Sequence, residues 1–155
     1  MADRIAIVDG VRTPMCKAGG PLAKVAADDL GARAVSELMS RLNLADSAID
    51  ELIFGNVSQP VNAANIARVV ALKAGLPESM PAYTVHRNCG SGAESITTAA
   101  DKIRAGRADA IIAGGTESMS NVPLLVSEPM TELFGQLARA RSASAKLRTM
   151  LRMRP

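Results

Sequence analysis

Residues 86–92 (HRNCGSG) carry the clearest chemical signal, because they place a cysteine between a strand-like run and a helix-like run. The start of a helix favours a thiolate there, since its partial positive charge stabilises an anion. The free N–H groups of the first turn can bind the oxyanion of an acylated intermediate, and glycine lets a substrate approach the backbone closely. The pattern predicts that Cys89 is a nucleophile. The alternative is a buried structural cysteine beside a helix-packing glycine pair.

A second glycine-containing loop covers residues 114–120 (GGTESMS) and follows the apolar run 110–113. Such a run is typical of a central strand that is buried on both faces. In parallel sheets, active residues tend to lie beyond the carboxyl ends of the strands. We therefore expect this loop and the Cys89 loop to be neighbours.

Strand-like and helix-like patterns alternate ahead of these loops. Strands are predicted at residues 5–8, 52–54, 82–85 and 110–113. Asp28 or Asp29 is predicted to cap a first helix whose apolar face is Leu30, Ala34, Leu38 and Leu42. Two more helices are predicted over 62–74 and over 90–105, the latter with Gly92, Ile96, Ala99 and Ile103 on one face. This βαβαβαβ order is typical of an α/β fold with right-handed crossovers and a mostly parallel sheet.

The composition is that of a globular protein of roughly one domain, with 155 residues, 48% hydrophobic and 2% aromatic. The net charge of +3 is unevenly distributed. Residues 131–155 hold six basic side chains and one acidic, while residues 1–130 hold twelve basic and fourteen acidic. Because the positive charge is local and aromatic residues are scarce, we expect no nucleic-acid partner.

Two cysteines, Cys16 and Cys89, cannot form a disulfide framework, and the first residues lack the apolar core of a secretion signal. No run approaches the ~18 apolar residues of a membrane-spanning helix. We therefore expect a reducing, cytoplasmic setting, with no metal site and no resident cofactor.

Four motifs, in this order, resemble those of the thiolase family. The family's opening R-T-P segment corresponds to residues 11–14 (VRTP), and its second segment to 55–59 (GNVSQ) with 65–68 (NIAR). Its nucleophile motif corresponds to 85–92 (VHRNCGSG), and its glycine-rich segment to 113–120 (AGGTESMS). The chain thus resembles the amino-terminal portion of an acetyl-CoA acyltransferase or 3-ketoacyl-CoA thiolase.

The resemblance implies a thiolase-like fold, here an incomplete first half, and acyl transfer through a thioester on Cys89. CoA and acyl-CoA would be the substrates. A 3-ketoacyl-CoA would be cleaved by CoA to acetyl-CoA and a shortened acyl-CoA, as in fatty-acid β-oxidation, or the reverse condensation would occur. The resemblance also places Gly90 at an oxyanion hole with the Cys89 N–H, and Gly114, Gly115 and Met119 at the floor of the site.

The chain departs from the thiolase pattern in its acid–base groups. The family's Gly-His-Pro, Cys-x-Gly and Asn-Glu motifs are not in this sequence, whose one histidine is His86 and whose second cysteine is Cys16. A tight turn could bring His86 to the thiol as a base, and Cys16 is the remaining candidate acid. We expect an amino-terminal part of a thiolase that is inactive alone. The alternatives are a non-catalytic fragment acting in subunit assembly and a ketosynthase-like condensing enzyme.

Residues 121–155 are predicted to begin the family's loop domain, after an amino-terminal α/β domain over 1–120. Two apolar sets at helical spacing are Met130, Leu133, Phe134 and Leu137, and then Ala143, Leu147, Met150 and Leu151. Basic amphipathic helices of this kind bind anionic membrane surfaces or partner proteins. By resemblance, residues 130–155 would contact a membrane or a fatty-acid oxidation complex. We also expect a homo-oligomer, because a partial fold leaves apolar surface exposed.

Overall fold

The computed structural model describes residues 4–151, which divide between Pro123 and Leu124 into two compact units. The first unit alternates helices and strands. Its elements are α1 (Ala27–Leu42), a 3-10 turn (Asp46–Ala48), β1 (Glu51–Gly55), α2 (Ile66–Lys73), β2 (Ala82–Val85), α3 (Ser91–Arg104) and β3 (Ile111–Gly115). The predicted boundary between residues 120 and 121 concerns family domains and stays a prediction.

The three strands form one parallel sheet in the order β2-β1-β3, which confirms the predicted α/β class. Leu52 of β1 lies level with Ala82 on one side and Ile112 on the other. All five residues of β1 are buried, whereas β3 is partly exposed. The prediction that β3 is the central strand is therefore wrong. Within the described residues β3 pairs with β1 alone, so β1 holds the central position.

Helices α1 and α2 cover one face of the sheet. Helix α3 contacts all three strands, β1, β2 and β3. The α1–α2 face carries the main apolar core, which includes Val35, Leu52, Phe54, Ile66, Val70 and Ile112. A Cβ atom on Gly31 of α1 would lie 2.7 Å from Val70 Cγ2, so glycine permits the close approach of these helices. Ile53, fully buried, alternates to the other side of β1, toward α3.

Charged side chains fasten the helices to their neighbours. Lys73 of α2 pairs with Asp28 at 2.5 Å and with Asp29 at 2.6 Å, both in the first turn of α1, and these hydrogen bonds raise the pKa of Lys73. Lys102 of α3 pairs with the largely buried Glu51 of β1 and lies 4.8 Å from the ring centre of Tyr83 in β2. The carboxyl-terminal half of α3 is thereby tied to two strands.

Two local predictions are corrected by the structure. Residues 5–8 are not a strand, and Ile7 and Val8 are 83% and 79% exposed. A strand needs a partner for its backbone groups, and this segment pairs with none of the three strands described. The first helix begins at Ala27 with Ala26 as an N-cap that makes no side-chain hydrogen bond, so neither Asp28 nor Asp29 is the cap.

The second unit contains α4 (Glu128–Arg139) and α5 (Ala143–Met150), which contact each other. Ser142 caps α5 by accepting a hydrogen bond from the Ala145 N–H at 3.2 Å. Neither helix has a buried residue, and Phe134 and Leu147 are exposed. Arg152 and Arg154 of the predicted basic tail lie outside the described residues. Within residues 4–151, none of the helices has the length and apolar character needed to cross a bilayer.

Candidate active site

Cys89 lies in the turn that joins β2 to α3, and its side chain is exposed. Asn88 adopts the left-handed conformation, with φ of 47°, which reverses the chain direction just before the cysteine. Two backbone hydrogen bonds close the turn, from the Gly90 N–H to the Arg87 oxygen and from the Ser91 N–H to the Asn88 oxygen, each at 3.0 Å. The alternative of a buried structural cysteine is therefore wrong.

Ser91 fixes this turn from inside. Its buried hydroxyl accepts a hydrogen bond from the Arg87 N–H at 2.8 Å and donates one to the Asn88 oxygen at 2.7 Å. Gly90 is the N-cap of α3, so the thiol stands one residue before the cap. The sequence predicted this position relative to the helix. A thiol at such a position lies near the positive end of the helix dipole.

Glycines seat the first turn of α3 directly on the sheet. A Cβ atom on Gly55, the last residue of β1, would lie 2.3 Å from the Ser91 carbonyl carbon. A Cβ atom on Gly115, the last residue of β3, would lie 3.4 Å from the Gly92 Cα. Because side chains are absent at these positions, the turn that carries Cys89 rests against the carboxyl ends of β1 and β3.

Ser95 links the same turn to β3 from one helical turn further along. Its side chain is fully buried, and its Oγ lies 2.7 Å from the Gly114 oxygen and 2.7 Å from the Gly92 oxygen. The predicted apolar face of α3 did not include this residue. The face that the structure buries holds Ser91, Ser95 and Ala99, whereas the predicted Ile96 is exposed. A run of small residues at four-residue spacing was the available signal.

The loops after β1 and β3 are joined by Glu117. Its carboxylate accepts the Val57 N–H at 2.9 Å and the Ser58 N–H at 3.2 Å. The buried Asn56 donates from Nδ2 to the Thr116 oxygen at 2.8 Å. Both Asn56 and Glu117 belong to motifs noted in the sequence, but their mutual contacts could not be deduced from it. The loops that follow β1, β2 and β3 are thus connected to one another at the carboxyl ends of the strands.

An ion pair lies beside the thiol. The exposed Arg87 guanidinium donates to Glu94 Oε2 at 2.7 Å, and Glu94 lies in the first turn of α3. A carboxylate there opposes a thiolate by like-charge repulsion, and the guanidinium offsets that charge. His86, at the end of β2, is exposed.

The other predicted site residues occupy different places. Gly90 and Gly115 adjoin the Cys89 turn. A Cβ atom on Gly114 would meet the Phe54 ring at 3.0 Å, on the α1–α2 face, although the Gly114 oxygen bonds Ser95. Met119 is exposed and lines a groove of about 580 Å³ between α1 and residues 11–18.

One of the two cysteines lines this groove and the other does not. Cys16 lines it together with Gly115 and Met119, whereas Cys89 is not among its lining residues. Cys16 is exposed, as Cys89 is. The two thiols therefore do not line the same groove, whereas Gly115 lies both in the groove and beside the Cys89 turn.

Comparison with known proteins yields consistent matches. Residues 5–152 match the family described as "Thiolase, N-terminal domain". The 3-ketoacyl-CoA thiolases of Pseudoalteromonas translucida (strain TAC 125) and Yersinia pestis (strain Pestoides F) are each 40% identical over 152 residues, covering 98% of this chain and 35% of the relative. The crystal structure of the Bacillus anthracis acetyl-CoA acetyltransferase matches with a TM-score of 0.74 and 34% identity, covering 79% of this chain and 31% of that one. The chain thus spans about a third of the length of these relatives.

Proposed function

The chain belongs to the thiolase family, and from that premise we propose that Cys89 attacks an acyl thioester substrate and carries the acyl group. The observation that carries this proposal is the exposed thiol one residue before the cap of a helix whose first turn is held rigidly on the sheet. Exposure gives the substrate access, and the helix terminus favours the reactive thiolate.

In the degradative direction, the Cys89 thiolate adds to the 3-keto carbonyl of a 3-ketoacyl-CoA. The bond between C2 and C3 then breaks, the acetyl-CoA carbon takes a proton, and the shortened acyl group remains on sulfur as a thioester. The thiol of CoA next attacks this thioester, its proton goes to a base, and Cys89 leaves as a thiolate. Fatty-acid β-oxidation is the metabolic setting that this reaction suits.

Oxyanion stabilisation falls to the backbone of the same turn. Both steps pass through a tetrahedral oxyanion, which donors within about 3 Å of the developing charge stabilise. We assign this role to the Cys89 N–H, because the Gly90 and Ser91 N–H groups already donate to the Arg87 and Asn88 oxygens. Gly115 supplies a floor without a side chain beside this turn.

Acid–base chemistry limits what this chain does alone. The exposed Cys16 lies in the separate groove, and the single histidine, His86, is exposed at the end of β2. We propose that the 155-residue chain accepts an acyl group on Cys89 but does not complete the cycle. Its acid and base would then come from another polypeptide segment.

The test is acylation followed by mass spectrometry. The purified chain is incubated with acetyl-CoA, and intact mass and peptide mapping report acetyl groups. We expect one acetyl group on Cys89, none in Cys89→Ser, and full labelling in the control Cys16→Ser. Acetyl transfer only to Cys16 or to lysines would overturn the proposal. Multiple turnover of a 3-ketoacyl-CoA that disappears in Cys89→Ser would refute the claim of inactivity alone.

A second candidate is a role in subunit assembly. It is favoured by the exposed apolar residues of segment 5–8, of which Ile7 and Val8 are 83% and 79% exposed. We propose that the chain forms oligomers through this segment. Light scattering after size exclusion tests it, with Ile7→Ser as the variant. A sharply monomeric wild-type profile would contradict association.

A further inference from the structure

We propose that Ser95 is the positioning residue for the Cys89 nucleophile, acting as a latch that holds the first turn of α3 against β3. The proposal rests on the function proposed above, in which Cys89 accepts the acyl group. Ser95 touches neither the thiol nor a substrate, so any effect on Cys89 is transmitted through the backbone of the turn.

The placement of Ser95 supports this role. Its side chain has no exposure to solvent, and Oγ reaches the Gly114 oxygen on β3 and the Gly92 oxygen in the first turn, both at 2.7 Å. One hydroxyl proton serves both carbonyls, so the residue joins two elements that otherwise meet only through van der Waals contact at this point. A buried hydroxyl with two partners at this distance is held in one rotamer.

The contact between the first turn of α3 and the sheet depends on this hydrogen bond. Gly55 and Gly115 lack side chains, so the turn is brought close to the sheet but is not interlocked with it by side chains. Hydrogen bonds to the Gly114 oxygen fix the distance instead. Because the function proposed above places the thiolate and the oxyanion at the start of α3, a small rotation of the turn weakens the stabilisation of both.

Loss of the Ser95 hydrogen bonds should lower the reactivity of the Cys89 thiol. Cys89 is already exposed, so loosening the turn adds little access for a reagent. What changes is the alignment of the helix terminus with sulfur, and therefore the thiolate fraction. The effect should be greatest near neutral pH and smallest at alkaline pH, because a helix terminus speeds the reaction of a thiol by favouring its thiolate.

The experiment measures the rates at which iodoacetamide labels Cys89 and Cys16 in the same full-length chain, from about pH 6 to about pH 10, by peptide mass spectrometry. In Ser95→Ala we expect the Cys89 rate near neutral pH to fall by roughly three- to tenfold, as for the loss of one buried hydrogen bond. The Cys16 rate should not change, and the two chains should converge at alkaline pH.

Thr97→Ala is the matched control, because Thr97 is an exposed hydroxyl of the same helix that bonds only within α3, to the Ala93 and Glu94 oxygens. It should leave the pH profile unchanged. A Ser95→Ala profile that coincides with wild type, or one that is lowered equally at every pH, would overturn the latch. If wild-type Cys89 reacts no faster than Cys16, the proposed function fails instead.

If Ser95→Ala does not fold, hydrogen exchange on the wild-type chain tests the proposed role of Ser95 instead. The proposed role of Ser95 requires the hydrogen-bonded amides of residues 94–96 to exchange as slowly as those of β3, although the start of a helix ordinarily frays. Faster exchange at 94–96 than in the last turn of α3 would refute the proposal without any variant.

Discussion

Cys89 and Cys16 are both exposed, yet the backbones that carry them are built differently. The Cys89 turn is closed by backbone hydrogen bonds, fixed by the buried Ser91 and seated on the sheet. Cys16 lies in a segment without helix or strand over residues 11–17, and the Gly19 N–H nearby donates to Ser120 Oγ at 2.9 Å. Exposure alone therefore does not distinguish the two thiols, whereas the position of Cys89 at the start of a helix does.

One molecule thus contains its own reference thiol. The ratio of the Cys89 and Cys16 labelling rates cancels differences in concentration, reagent and global stability. Variants that loosen the support of Cys89 should lower this ratio, and variants elsewhere should leave it unchanged. The size of each change ranks the contacts that support the turn.

The largest effect is expected from Gly55→Ala. The new Cβ atom would lie 2.3 Å from backbone atoms of Ser91, and backbone cannot move aside as a flexible side chain can. We expect a loss of about 3 kcal/mol in the free energy of unfolding, at the upper end for overpacking a core. Urea denaturation measures it, and the Cys89 to Cys16 ratio should fall toward that of the unfolded chain.

Gly10→Ala is the control, since no atom lies within 4 Å of the position its Cβ would take. It should unfold within about 0.5 kcal/mol of wild type. Equal stability of the Gly55 and Gly10 variants would show that α3 does not rest on β1 as described.

An intermediate effect is expected from the ion pair at the other end of α3. The hydrogen bond to Glu51 raises the pKa of Lys102 above its ordinary 10.5. The ion pair therefore contributes its full stabilisation below about pH 10.5. That stabilisation is lost as the pH rises through the higher pKa that Lys102 has in the folded chain. Lys102→Met should cost about 1 kcal/mol near pH 8, because it leaves the largely buried Glu51 unpaired.

Thermal unfolding of wild type and Lys102→Met across the alkaline range tests whether the stabilisation by Lys102 decreases as the pH rises. The two curves should approach each other at the highest pH, while Lys24→Met, an exposed lysine before α1, should follow wild type throughout. A gap that stays constant with pH would show that the methylenes of Lys102, and not its charge, provide the stability. The Cys89 to Cys16 ratio should change little, since Lys102 is remote from the first turn.

The strand-turn-helix around Cys89 was predictable because its signals are local. A β-prone run, a glycine-flanked cysteine and a helical repeat follow one another in the sequence, and each acts over a few residues. The alternation of elements likewise predicted the parallel α/β sheet. In each case short-range sequence pattern and tertiary structure favour the same conformation.

The remaining features depend on contacts that sequence pattern does not specify. Residues 5–8 have the composition of a strand, but strand formation requires a partner that no local signal identifies. The buried face of α3 follows Ser91, Ser95 and Ala99 because the glycines of β1 and β3 admit only small residues there. Hydrophobicity favoured Ile96 instead, so Ser95 was missed.

The smallest effect is expected from the exposed pair of Arg87 and Glu94. Arg87→Gln removes the guanidinium that offsets the Glu94 carboxylate in the first turn of α3. The uncompensated charge then disfavours the Cys89 thiolate, and the labelling rate near neutral pH should fall by no more than about twofold, because Arg87 is 73% exposed. Salt should reduce this difference as it screens the charge.

Two further variants separate charge from shape. Glu94→Gln added to Arg87→Gln should restore the wild-type rate, since no charge remains to be offset. Arg104→Gln, which breaks an exposed pair with Asp101 at the far end of the same helix, should leave the ratio unchanged. An Arg87→Gln effect that persists in high salt would assign the role of Arg87 to packing against Gly90, whose Cβ position lies 3.9 Å from its methylenes, and not to charge.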